Sequence, residues 1–353
     1  MTHVGIGSVM ARFTRPRRGE LLAIIMVAVL LLAGVASAGL ALARDVFGAS
    51  AFVDTYLRAV ETRDVATALS MPGVMPDGVT RQNFMAQPNN VLLNAAAMSP
   101  DLDFTVVGED AVQNVHYVTV RSSTLGARDI VFSVTPTGAV AGVFPQWRFT
   151  TSPLGALDIK TNHATFFSVN GFGPIDMAAV DASVAPQDFA AAGSFSVFAP
   201  GIYDIEISSS ALTSESVTTQ LVEPGSSSDV SLDAEPTPAF IERVQQEVDD
   251  FFDSCVRQRV LLPSGCPFGI AIENRVSGEP VWGVATYPQV GLRPGASGWE
   301  IIPMSLSLTF DANIQSLFDG SVTQVHEDIP LTISGSVVLT ASGDVSVLIN
   351  RVD

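Results

Sequence analysis

Few residues in this chain are equipped to do chemistry, so their placement is informative. There are four histidines: His3 lies near the start, and His116, His163 and His326 fall in or beside strand-like runs. A hydrolase triad sets a serine on a tight turn against a histidine and a carboxylate, and no Gly-x-Ser-x-Gly occurs. His326-Glu327-Asp328 is the densest polar cluster, but its order is not His-Glu-x-x-His, and it reads as a solvated strand end. His116 alternates with Val115 and Tyr117, as a sheet-face residue does. The acid pairs Glu109-Asp110 and Asp249-Asp250 are of the type that cleaves glycosidic bonds. The first precedes Ala-Val-Gln-Asn, a turn by composition, and the second falls on the outer face of a helix, so both read as surface charge. Phosphate-binding loops, calcium loops and dinucleotide fingerprints are missing. Trp147, Trp282 and Trp299 occur singly in strands, as core residues do, with carbohydrate stacking as the functional alternative. No catalytic residue, cofactor site or metal ligand is assigned.

Cys255 and Cys266 are the only cysteines, with the ten residues VRQRVLLPSG between them. In oxidising surroundings an isolated pair at this distance most simply forms a disulfide, and closing the loop stabilises the fold by roughly 3 kcal/mol. A zinc site lacks ligands, since His326 is the sole histidine of that section. A redox motif needs Cys-x-x-Cys. Two free buried thiols remain the open alternative.

The elements that must position these residues begin with Leu21 to Ala43, a run of 23 residues with no charge and no proline. As a helix it spans about 34 Å at 1.5 Å per residue, enough to cross a membrane. A cleaved signal peptide is the rival, with Ala36-Ser37-Ala38 and Ala41-Leu42-Ala43 as small-x-small sites, but the run exceeds the usual apolar length. Arg12, Arg15, Arg17 and Arg18 precede it against Glu20 alone, which places the N-terminus in the cytoplasm and the bulk outside. The whole chain carries −18, and the portion beyond the run is more acidic still. Such a surface repels phosphate backbones, so nucleic-acid binding is excluded.

Beyond the run, three sections separate. Ser50 reads as an N-cap, and Phe52, Val53, Tyr56, Leu57 and Val60 then sit at helical spacing. A short helix from Asp64 ends at Met71-Pro72-Gly73, and strand-like runs come after it from Phe104 to Phe149. From Ser152 to Glu235 only short strands divided by Gly, Pro and Ser are legible, with Asn170-Gly171 as a hairpin turn. After Pro236-Thr237-Pro238, Phe240, Val244, Val248, Phe251 and Cys255 recur at spacings of 4, 4, 3 and 4, an amphipathic helix capped by Thr237. Strands are expected next at 281–286, 299–304, 305–311, 329–338 and 344–351.

The string Phe251-Phe252-Asp253-Ser254-Cys255, then Val260-Leu261-Leu262-Pro263-Ser264-Gly265-Cys266-Pro267-Phe268-Gly269, resembles an element of actinobacterial membrane-anchored proteins. There a helix ending in Cys is followed by a Pro-x-Gly-Cys-Pro-Phe-Gly turn. Tyr56-Leu57 through Thr62-Arg63-Asp64 and Ala66-Thr67-Ala68-Leu69 are similar to the opening helices of NTF2-like and cystatin-like extracytoplasmic domains. The resemblance implies cone-shaped α+β domains and carries over no catalytic residues.

The expected fold class is therefore α+β: an N-terminal transmembrane helix, then two NTF2-like or cystatin-like domains flanking a small β-sandwich. The expected divisions are a basic tail over 1–20, the anchor over 21–43, α+β domains over 49–150 and 237–353, and the sandwich over 152–235. The expected function is non-enzymatic binding or scaffolding at the cell envelope, anchored in the membrane, with envelope proteins or cell-wall material as partners. The alternative is a small-ligand sensor or carrier using an NTF2-like pocket.

Overall fold

The structure is a computed structural model that describes residues 26, 27, 29, 46–140, 144–180, 189–339 and 345–352. Helix α1 (Ala49–Glu61) buries Val53, Tyr56, Leu57 and Val60, the face that their spacing defines. Its N-cap is Gly48, which has no side chain to offer, rather than Ser50. The missing cap comes from the sheet, where the Glu109 carboxylate accepts the Ser50 N–H at 3.2 Å. Helices α2 (Val65–Ser70) and α3 (Arg81–Met85) are capped locally by Asp64 and Thr80. An antiparallel meander comes next, β1 (Thr105–Val112), β2 (Val115–Arg121), β3 (Asp129–Val140) and β4 (Phe144–Phe149), in sequential order. Gly73, at φ +86°, lets the turn after α2 lie on β4: a Cβ there would stand 2.4 Å from the Phe149 carbonyl oxygen.

The middle third holds β5 (Leu154–Asn162), β6 (Phe166–Val169), β7 (Phe172–Asp176), a single turn α4 (Met177–Val180), β8 (Ala190–Phe198) and β9 (Gly201–Glu206). Then come β10 (Leu212–Thr213), β11 (Val217–Leu221), β12 (Ser227–Asp233) and β13 (Glu235–Pro236). One sheet has the order β11-β9-β6-β7 and another β12-β5-β8, and β10 pairs with β13. Phe167 of the first sheet meets Phe195 of the second, ring centroids 4.9 Å apart. Asn170 and Gly171, at φ +50° and +77°, make the tight turn between β6 and β7.

The last third opens with α5 (Pro238–Val256), where the Thr237 side chain accepts the Phe240 N–H and Pro238 sits in the first turn. Its sheet runs β14 (Arg275–Thr286), β16 (Trp299–Gln315), β17 (Val322–Leu339) and β18 (Val345–Arg351), with β15 (Leu292–Pro294) also on β16. The two strands expected over 299–304 and 305–311 are one. The register slips between Ile301 and Met304. Trp299 and Ile301 are buried before the slip, and Met304, Leu306, Leu308, Phe310 and Ala312 after it. An irregularity that switches the parity keeps one face inward along a bent strand, and in sequence it looks like a break.

Two expectations are corrected. The fold is mostly β, with 47% strand and 19% helix among the described residues, and not an α+β arrangement of two NTF2-like or cystatin-like domains. Amphipathic helices form at both expected places, but polar strands such as Val322–Pro330 and strands with weak local signal such as Leu154–Asn162 also join ladders, and sheet dominates. The second correction concerns the single-pass anchor, and with it the cell-membrane placement. Among the described residues no helix is long and apolar enough to cross a membrane. Of the run 21–43 only Met26, Val27 and Val29 are described; the rest lies outside the described residues, as does the basic tail. An uncharged run sets a preference for apolar surroundings but not one unbroken helix.

The buried residues form two clusters. One holds the first third, with Tyr56, Leu69, Phe132 and Phe149 at its centre. The other is continuous from the middle third into the last, joining Phe167, Phe195 and Tyr203 to Phe240, Phe252 and Phe310. The first cluster is tied to the middle third by the buried Tyr56 hydroxyl, which reaches the carbonyls of Pro153 and Ala199 at 3.2 and 2.9 Å. Asn170 donates to the Ala97 carbonyl at 2.9 Å, which fixes a first-third segment whose Leu92 and Ala97 belong to the second cluster.

Candidate functional site

Two histidines meet carboxylates. Glu109 accepts the Ser50 hydroxyl at 2.5 Å and holds His116 Nδ1 at 2.8 Å. Burial by itself would raise this carboxyl; the hydrogen bonds from Ser50 and His116 outweigh it and hold it below its ordinary value. A hydroxyl nucleophile needs the imidazole between itself and the acid, whereas here the acid stands between hydroxyl and imidazole. The arrangement orients a helix start and does not activate Ser50. His326 Nδ1 lies 2.8 Å from Asp311 Oδ1. On β17 the Thr332 carbonyl accepts the Val352 N–H at 2.9 Å, on the side away from β16. Even-numbered residues of β17 are therefore non-hydrogen-bonded partners of β16, which is where opposed side chains come closest. The Asp311 hydrogen bond and charge raise the His326 pKa.

The other flagged residues lie apart. Asp249 accepts from Gln245 at 2.9 Å on α5, and Asp250 is exposed. Cys255 and Cys266 are joined by a disulfide, Cα atoms 5.9 Å apart, which ties the end of α5 to the turn before Phe268. Trp147 and Trp282 each donate their indole N–H to a backbone carbonyl at 2.8 Å, those of Phe47 and Val260. Among the described residues no group of His, Cys, Asp and Glu could hold a metal ion.

Two features stand out that the spacing of residues did not reveal. The first is an open strand edge. Along one side β17 pairs with β16 from Val322 to Val337, but on the other it meets β18 only from Ile333 to Leu339. Among the described residues, no strand flanks Val322–Leu331 on that side. By the same parity, Gln324, His326 and Asp328 direct N–H and C=O groups outward. Pro330 falls on the outward parity too, where its missing N–H costs the β16 ladder nothing. At the tip of the same hairpin Leu317 is 72% exposed and Phe318 fully so. The surrounding charge is acidic, from Asp311, Asp319, Glu327 and Asp328.

The second feature is a wide-mouthed cavity of 410 Å³ at the other end of β16. Its lining comes from the end of β5 (Asn162, His163), the start of β8 (Phe189, Ala190) and the turn between β15 and β16 (Gly295, Ala296). Trp299 packs behind it, with ring centroids 5.9 Å from His163 and 5.7 Å from Phe189. Signals for it existed only singly: an isolated histidine after a strand, and tryptophan and phenylalanine far apart in the chain.

No family model, no curated protein and no solved structure matches this chain. Its function must be read from geometry and chemistry.

Proposed function

We propose that this chain is a non-catalytic binding protein that receives an extended, basic and apolar polypeptide segment along the open edge of β17. The observation that carries this reading is the edge itself: on the side away from β16, Val322–Leu331 has no neighbouring strand among the described residues, beside a hairpin tip with Leu317 and Phe318 in water. Strand addition draws affinity from main-chain hydrogen bonds and selectivity from alternate side chains. An exposed edge is protected by charge and proline, and Pro330, Glu327 and Asp328 provide that protection against a second copy. The same acids attract a segment of opposite sign, and the exposed tip favours apolar residues at one end of it. The His–carboxylate pairs support no competing hydrolase, because neither places an imidazole against a nucleophile.

The reading is tested with a capped decapeptide of alternating Lys and Val, and its Glu-Val counterpart as control. Gln324→Pro removes one outward donor and no bond to β16. The Lys-Val peptide should shift the amides of 322–331, and its affinity should fall by about tenfold in Gln324→Pro or when the ionic strength is raised to about 1 M. Equal binding by Gln324→Pro, or by the Glu-Val peptide, would overturn it.

A further inference from the structure

The cavity at the junction of the middle and last thirds is separate from the β17 edge, and it has the features of a small-molecule site. Its 410 Å³ lies within the range of ligand pockets, which favour junctions between packed units. One wall is a fixed aromatic platform. His163, Phe189 and Trp299 meet edge-on or tilted, with His163 and Phe189 centroids 5.1 Å apart. His163 holds φ +63°, a left-handed conformation that few non-glycine residues adopt and that clusters at binding sites. Trp299 is 5% exposed, and its indole N–H is one of two buried side-chain polar atoms without a partner among the described residues, the other being Asn90 Oδ1. A fold that only sealed a junction here would gain by giving that donor an acceptor.

The remaining groups narrow the ligand. Asn162 supplies an amide, already donating to Asp233 at 2.8 Å. Behind Gly295 stands Glu300, within 2.5 Å of where a Cβ would lie and paired with Arg293 at 3.1 Å. These two carboxylates are thus matched, and among the described residues no cationic side chain lines the cavity to hold an anion. What remains is a mixture of ring faces, an amide and backbone groups, which suits a ring that is apolar on its C–H face and hydroxylated at its rim. We infer that the cavity binds a neutral saccharide, stacked on His163 and Phe189 with its hydroxyls toward Asn162 and the Gly295-Ala296 backbone.

The three indole N–H resonances of the intact, ¹⁵N-labelled chain provide the test, since Trp147 and Trp282 are bonded internally and report folding. The probes are methyl α-D-glucopyranoside and N-acetyl-D-glucosamine, with D-glucuronate as the charged counterpart. A neutral sugar should move the Trp299 signal saturably while the other two stay in place. Ala296→Phe, at an exposed lining position, should weaken that response by about tenfold with the other two indole signals unmoved. His163→Ala should do the same. If neither sugar moves Trp299 saturably, if Ala296→Phe responds like the parent chain, or if glucuronate binds as well, the inference fails.

Discussion

At Glu109 one carboxylate does two jobs: it accepts from Ser50 at the start of α1 and steadies His116. Its lowered pKa and the raised pKa of His326 have opposite consequences with pH. A carboxyl whose folded value is depressed stabilises the fold above its unfolded pKa of about 4.3, and the contribution vanishes as pH falls through the lower folded value. A histidine whose folded value is raised stabilises below its unfolded pKa of about 6.5, and the contribution vanishes as pH rises through the higher folded value. Both act together between those limits. Melting temperature against pH should therefore separate Glu109→Gln from the parent at neutral pH but not at the acid end. His326→Asn should differ from the parent at mildly acid pH and converge with it at the alkaline end. The chemical types were legible in sequence; the pairing Glu109–His116 was not, since it requires the β1–β2 register.

Among the elements, α5 was the most legible. Thr237, Pro238 and the recurrence of apolar positions announce its start and most of its buried face, because capping and periodicity are local; Phe252 is the buried residue where the spacing pointed to Phe251, which is only half-buried. Its far end depends on the link from Cys255 to Cys266. Replacing both cysteines by serine should lower stability by roughly 3 kcal/mol, the loop-closure entropy of so short a ring. Chemical denaturation measures it; an unchanged midpoint would mean that packing around Phe252 and Phe268 holds the turn unaided. Strand ends were less legible. β17 starts at Val322 rather than 329, because its exposed, charged first half pairs through backbone groups that carry no hydrophobic signal.

For the whole molecule, the continuity of the second core cluster makes a prediction of its own. Phe252 of α5 is fully buried in a cluster that also contains Phe167 and Phe195. Phe252→Ala should cost about 3–5 kcal/mol, and amide exchange should accelerate in β5–β9 and in β14–β18 together. Faster exchange confined to the last third would show instead that the two thirds unfold separately. The first third, with its own cluster, should respond less.

The amino-acid sequence alone determined the sign of the surface charge, the cap and most of the inner face of α5, the Asn170-Gly171 turn and the scarcity of catalytic side chains. Each depends on composition or on residues a few positions apart. The tertiary structure alone decided that β dominates, that Glu109 caps α1, that part of β17 has no second partner strand among the described residues, and that His163, Phe189 and Trp299 meet around one cavity. These arise from ladder register and from contacts between residues far apart in the chain, and no local periodicity encodes either.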